Sequence, residues 1–373
     1  MSEPAQRLAG QRVAVLGAGL IGTSIALAAR ERGAQVWLSD ADPAVARLAA
    51  DLGAGQILPP EGTVGRDGIP ADIAVLAMPP AAVAGALASA QARGLARVYT
   101  DVASVKVLPV AQVRERGCDL SCYVAGHPLA GSERSGPAAA RADLFLGRAW
   151  ALCPLPETSP SAVAAVRALV SACGAEPAEV EVAEHDRFVA LVSHLPHLMS
   201  VAMAARLTDA EQGALRLAGQ GLRDVTRIAA GDAKLWTSIL TANATPVASA
   251  LEATATDLAA AAEALREVAA GEKESGKRVT DLLVRAAAGV ARIPGKRGGP
   301  APEYVVLQVV IVDRPGELSR LFQVAGDAEV NIEDVSIEHS PGLPVGVAGL
   351  SVRPEAASRL AAALRAHGWP VHD

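Results

Sequence analysis

Val13-Ala-Val-Leu-Gly17-Ala-Gly19-Leu-Ile-Gly22-Thr-Ser24 and, one short helix later, Gln35-Val-Trp-Leu-Ser-Asp40 are the stretches that decide the fold. A β-prone apolar run leads into Gly-x-Gly-x-x-Gly. A helical stretch, Thr23 to Glu31, follows and stops at Gly33, and the next apolar run ends in an acid. The glycine pattern alone says little. A strand before it, a helix after it and an acid 18 residues past its last glycine are what a dinucleotide-binding turn requires. Gly17 permits the tight turn, Gly19 lets the backbone approach a pyrophosphate at the helix N-terminus, and Gly22 lets helix and strand pack closely, with Leu20 and Ile21 completing the turn. Asp40 would hydrogen-bond a ribose 2′-hydroxyl and repel a 2′-phosphate, so NAD rather than NADP is the expected cofactor. Met78, Pro79 and Val102 are expected to join the same cofactor site.

Outward from the turn, the alternation continues. Asp72 to Met78 reads as a strand, Ala81 to Ala92 as a helix and Ala96 to Asp101 as a strand. This predicts a Rossmann-type, doubly wound parallel sheet over residues 10–183. After Glu184 the texture changes to long Ala/Leu-rich stretches, and a helical domain is expected over 184–293. Residues 294–302 are a Pro/Gly-rich basic linker. Residues 303–373 read β-α-β-β-α-β, a ferredoxin-like α+β unit.

Composition narrows the function. Lys and Arg number 34 against 40 Asp and Glu, a net charge of −6, so a basic nucleic-acid footprint is not expected. Aromatic residues are 3% of the chain, too few for a base-stacking platform, while 51% hydrophobic residues exclude disorder. Four cysteines in 373 residues are not a disulfide scaffold. Val13 to Ala29 carries no charge, but three glycines in its middle favour strand, turn and buried helix over a membrane span. The N-terminus lacks an apolar signal core, and a cytoplasmic protein without metal, membrane or nucleic-acid partner is expected.

Three histidines sit in suggestive contexts. His127 lies in Gly126-His-Pro-Leu-Ala-Gly131-Ser-Glu133, after a strand-like segment. His194 and His197 lie in Ser193-His-Leu-Pro-His197, where Pro196 would kink a helix. His185, His339, His367 and His372 read as structural or surface residues. Arg223, Asp224 and Arg227 follow further on. Together these suit a dehydrogenase of an anionic substrate. Imidazole can take a hydroxyl proton near neutral pH, and a guanidinium can bind a carboxylate in bidentate fashion.

Five motifs in order, Gly17-Ala-Gly-Leu-Ile-Gly-Thr-Ser24, Asp101-Val-Ala-Ser-Val-Lys106, Gly126-His-Pro-Leu-Ala-Gly131, Ser193-His-Leu-Pro-His197 and Arg223-Asp-Val-Thr-Arg-Ile-Ala229, give the chain its resemblance to the prephenate/arogenate dehydrogenases, in the form with a C-terminal ACT domain. The resemblance implies oxidative decarboxylation of prephenate to 4-hydroxyphenylpyruvate, CO2 and NADH, with arogenate as the alternative substrate. It implies His127 as the catalytic histidine and Ser104 as the serine bonding both it and the substrate hydroxyl. Arg227 would bind a substrate carboxylate, and His197, Glu133, Trp236 and His194 would line the pocket. Asp224 is expected to orient Arg227, and Lys106 to be structural. In the ACT-like unit Asp313, Pro315 and Gly316 at the first turn, with Asn331 and Ile332 opening the second strand, would bind an amino acid, tyrosine as feedback inhibitor; a unit that only dimerises is the other possibility. A homodimer is expected. A β-hydroxyacid-type dehydrogenase would favour a catalytic Lys or Asp on the interdomain helix, and a non-catalytic NAD sensor would not keep Ser104, His127 and Arg227 together.

Overall fold

The glycine turn joins strand β1 (Arg12–Leu16) to helix α1 (Leu20–Glu31) in a computed structural model that describes residues 8–59, 69–131, 134–294, 304–339 and 344–372. The chain separates into two compact units, Met1–Thr256 and Asp257–Asp373.

The first unit continues with β2 (Gln35–Ser39), α2 (Pro43–Asp51), β3 (Gln56–Ile57), β4 (Ala71–Leu76), α3 (Pro80–Ala92), β5 (Ala96–Asp101), α4 (Val107–Glu115), β6 (Tyr123–Pro128), β7 (Ala149–Cys153), α5 (Pro160–Ala172) and β8 (Glu176–Glu179). The strands form one sheet in the order β3-β2-β1-β4-β5-β6-β7-β8. Both faces are covered. Val13 and Val15 of β1 and Ile73 and Val75 of β4 enter one core with α1 and α5, while Ala14, Leu16, Ala74 and Leu76 enter the other with α3 and α4. Alternate side chains of a strand point to opposite faces, so runs apolar at every position are what a doubly covered sheet needs. The uncharged stretch 13–29 is accordingly β1, the turn and α1, buried in the sheet core.

One expectation is corrected. The sheet is not wholly parallel: β7 pairs antiparallel with β6, and β8 runs parallel to β7. Among its described residues the β6–β7 connection contains no α-helix, only the 3-10 segment Pro137–Ala139 and a turn over 142–147. Without a crossover helix to carry the chain back, the next strand returns in the opposite direction.

Helical structure follows: α6 (Val182–Val189), a π-helical segment Ala190–His194, α7 (Leu195–Arg206), α8 (Gln212–Leu215), α9 (Gln220–Thr226), a 3-10 turn Arg227–Ala230, α10 (Ala233–Ala242) and the start of α11 (Ala244–Ala269). Residues 182–206 form one continuous helical stretch. Pro196 cannot donate to the turn before it, and the wider π turn directly upstream accommodates that loss. This stretch is long and apolar enough to cross a membrane, with mean hydropathy 1.6, yet it buries His185, Asp186, His194 and His197.

The second unit holds the rest of α11, α12 (Gly276–Val290), and a sheet built from β9 (Val305–Val312), β10 (Asp334–His339), β11 (Val345–Val352) and β12 (Val371–His372), with α13 (Glu317–Asp327) and α14 (Pro354–Ala366). Its order is β10-β11-β9-β12, antiparallel throughout, the split β-α-β arrangement. β10 starts at Asp334, so Asn331 and Ile332 precede the strand rather than open it. Glu329 is left-handed there, and Asn331 is tied locally to Glu333 at 2.9 Å.

Candidate active site

His127 is the penultimate residue of β6, at the carboxyl ends of the parallel strands where doubly wound sheets place ligands. Gly126 precedes it because a Cβ there would lie 2.9 Å from the Asp101 carbonyl. Beneath the loop, buried Lys106 pairs with buried Asp101 and donates to the Gly126 carbonyl, and Tyr123 donates to Asp101 at 2.6 Å. This cluster fixes the backbone that carries His127.

His127 Nδ1 lies 2.9 Å from Nε2 of His185, and His185 Nδ1 lies 2.7 Å from Asp186 Oδ1. Asp186 also accepts from the backbone N–H groups of Lys106 at 2.7 Å and Val107 at 2.9 Å. Burial, then the neighbouring His185, Lys106 and His194, push the His127 pKa well below the usual value of 6.5, so the ring is neutral at physiological pH. His194, one π turn beyond α6, is pushed down to about 4, mainly by burial. Its Nδ1 lies 3.2 Å from Asn243 Nδ2, which also donates to the Asp186 carbonyl at 2.7 Å. His197 stacks on Trp236, with centroids 3.4 Å apart and planes within 7°. Gly231 makes room, since a Cβ there would meet Trp236 Nε1 at 2.6 Å.

The glycine turn carries the second half of the site. A Cβ on Gly17 would lie 2.0 Å from the Ala77 carbonyl, and one on Gly22 1.9 Å from the Gly17 carbonyl. Those two glycines are demanded by the fold. A Cβ on Gly19 meets nothing within 4 Å, and Gly19 has an ordinary φ of −73°. The open space above Gly19, at the N-terminus of a twelve-residue helix with no acid in its first turn, fits a diphosphate. Asp40 accepts from Ala18 N–H at 2.7 Å, which holds its carboxylate beside the turn, where a ribose would lie.

Residues 25–179 match the family model described as prephenate dehydrogenase, nucleotide-binding domain, and residues 181–277 the one described as prephenate dehydrogenase, dimerization domain. A probable prephenate dehydrogenase of Streptomyces niveus is 41% identical over 96% of this chain and 99% of its own length. The chain belongs to the prephenate dehydrogenase family. A cyclohexadienyl dehydrogenase of Zymomonas mobilis is 30% identical, covering 63% of this chain and 81% of its own. Among solved structures, prephenate dehydrogenase from Aquifex aeolicus in complex with hydroxyphenyl propionate and NAD+ is 25% identical with a TM-score of 0.65, over 75% of this chain and 99% of that one. Synechocystis arogenate dehydrogenase has a TM-score of 0.59 at 25% identity, over 75% and 100%.

Ser104 is half-buried in the β5–α4 turn, and among the described residues its hydroxyl has no hydrogen bond to His127. Arg227 is exposed, with no side-chain partner among the described residues. The structure does not join Asp224 to it: Asp224 accepts from Gln220 at 2.8 Å. Gln220 stands four residues before Asp224, on the same face of α9, and engages its carboxylate. Met78 and Pro79 follow β4 and Val102 follows β5, all at the carboxyl edge of the sheet beside the glycine turn. Leu20 and Ile21 are half-buried in the first turn of α1. Glu133 lies outside the described residues.

Sequence reasoning missed His185, Asp186, Asn243 and Gly231. His185 is buried and central rather than peripheral. Its partner His127 is 58 residues away, and no local spacing signals the pair. No group of three or more His, Cys, Asp or Glu side chains placed to hold a metal occurs among the described residues.

Proposed function

We propose that the protein is an NAD-dependent prephenate dehydrogenase, converting prephenate to 4-hydroxyphenylpyruvate and CO2. The observation that carries this reading is His127, held neutral at the carboxyl edge of the sheet with Nδ1 engaged by His185. Bound at the glycine turn, NAD supplies the hydride acceptor. The neutral His127 accepts the proton of the ring hydroxyl, and Ser104 adds a hydrogen bond to that hydroxyl. Arg227, with no side-chain partner among the described residues, takes a substrate carboxylate. His197 and Trp236 form a flat wall for the substrate, and His194 lines the pocket beside them. Loss of the ring carboxylate restores aromaticity, so the protein's task is alignment and one proton transfer. The assay is NADH absorbance with prephenate or arogenate and NAD or NADP in all four combinations. Fastest turnover with prephenate and NAD is expected, and turnover with neither substrate would sink the reading.

We further propose the division into 10–183, 184–293, a linker 294–302 and 303–373, with a cytoplasmic homodimer formed through the helical domain, as the dimerization-domain match supports. The C-terminal sheet is read as an ACT domain that binds tyrosine. A cleft lined by Ile311, Asp313, Arg314, Glu317, Leu318 and Ile337 supports this, beside Pro315 and the left-handed Gly316. Buried Glu317 braces the cleft. Burial alone would raise its pKa, but bonds from Arg314 and Trp369 and the Arg320 charge outweigh that and lower it. Tyrosine is expected to inhibit the intact enzyme and to lose its effect when residues after Arg297 are removed. An intact enzyme indifferent to tyrosine would refute the regulatory reading.

A further inference from the structure

We infer that Asp186 and His185 are positioning residues that set the tautomer of His127, placing its proton on Nδ1 and leaving Nε2 as the base. This rests on the reading of His127 as the proton acceptor, and it follows from donor and acceptor inventory.

An ionised carboxylate can only accept. Asp186 therefore requires a proton on His185 Nδ1, 2.7 Å away. A neutral imidazole with Nδ1 protonated has Nε2 as a lone pair. That lone pair lies 2.9 Å from His127 Nδ1, which must then carry the proton. His127 Nε2 is left unprotonated, and among the described residues nothing is bonded to it. His185 and Asp186 are 2% and 1% exposed, so water cannot supply a substitute partner and the order of protons is fixed by the fold.

The same carboxylate holds the other group expected at the substrate hydroxyl. Helix α4 has no side-chain cap of its own at Lys106. Asp186, arriving from α6, caps it instead through the N–H groups of Lys106 and Val107. The turn carrying Ser104 is thus pinned between Asp186 on one side and Asp101, which accepts from Ala103 N–H at 2.8 Å, on the other. One side chain sets both the proton order of His127 and the location of Ser104. Among the described residues, the titratable groups around His127 are His185 and Asp186 from α6, Asp101 from the end of β5, Lys106 from the β5–α4 turn and His194 from the π segment.

Asp186→Asn offers an amide that, with its oxygen turned to the Val107 N–H, donates to His185 Nδ1 and gives up the Lys106 N–H bond. That orientation reverses both tautomers and protonates His127 Nε2. The expected result is a kcat lower by about 10³-fold with the prephenate KM within about threefold, the pattern of a base in the wrong tautomer. In His185→Gln a carbonyl can still accept from His127 Nδ1, while His185→Leu offers none. Gln is expected to keep about a tenth of wild-type kcat and Leu to fall about 10³-fold, and this pair decides the question if Asp186→Asn does not fold. The direct readout is 15N NMR of histidine-labelled full-length protein, which has seven histidines. His127 should be protonated at Nδ1 in the wild type and at Nε2 in Asp186→Asn. Equal losses in the two His185 variants, or an Nε2-protonated His127 in the wild type, would overturn the inference. The NMR readout does not depend on turnover, so a wild type that leaves prephenate untouched would refute the functional reading and not the proton order.

Discussion

The glycine turn after β1 and the histidine cluster around β6 lie in the same unit and are built in opposite ways. The turn is contiguous and made of backbone. Gly17 and Gly22 are fixed by carbonyls 2.0 Å and 1.9 Å from where a Cβ would stand, and Gly19 by nothing but open space. The cluster draws on the β5–α4 turn, β6, α6, the π segment and the α10–α11 junction, and is made of side chains in series, His127 to His185 to Asp186. A backbone site fails only where a side chain intrudes. A relay fails wherever a link is removed. Anion binding needs only N–H groups and a helix end, whereas proton transfer needs one nitrogen with a defined proton.

The largest effect expected is at the end of the relay. His127→Asn should lower kcat by about 10³- to 10⁴-fold while the NAD Kd, measured by titration, stays within about twofold. Near-normal turnover would break the comparison by showing that the relay ends on no base. At the turn, Gly22→Ala should lower the Tm by about 6–12 °C, from about 3 kcal/mol of overpacking. Gly19→Ala should leave the Tm within about 2 °C and raise the NAD Kd by about tenfold or more, because its Cβ fills space kept for a ligand. Equal Tm losses in the two variants would contradict the division into fold and ligand glycines. Arg227→Ala should raise the prephenate KM by about 10- to 100-fold, the worth of a charge-assisted hydrogen bond, and leave the NAD KM unchanged. Equal rises would remove Arg227 from the substrate.

The smallest effect is in pH. His127, His194 and His197 are all held below 6.5 in the folded protein, chiefly by burial. The unfolded chain therefore binds more protons as pH falls through 6.5, and stability contributed by these neutral rings is present above 6.5 and lost on the way down towards about 4. Melting temperature should fall across that window, and the acid limb of kcat/KM should lie below pH 6.5. An acid limb above 6.5 would mean that a different group titrates.

The turn was legible because its evidence is local: strand, glycines, helix and Asp40 lie within 28 residues of one another. The split β-α-β order of the C-terminal sheet was legible for the same reason. His127, His194 and His197 could be named from their motifs, but His185 could not, because it acquires its role only when α6 folds under β6. The reversal at β7 left no mark in residues 129–148, since a missing crossover helix is not a pattern. Asp224 and Arg227 stand three apart, a spacing that allows a helical pair, but Gln220, four residues before Asp224, engages its carboxylate instead.

The central claim couples hydride loss to loss of the ring carboxylate. The most direct measurement uses prephenate carrying a 13C label in that carboxylate and follows labelled CO2 and NADH together in one reaction with the intact enzyme. The account predicts equal molar release of the two, abolished in step by His127→Asn. NADH formed without labelled CO2, or neither product at saturating NAD, would contradict it.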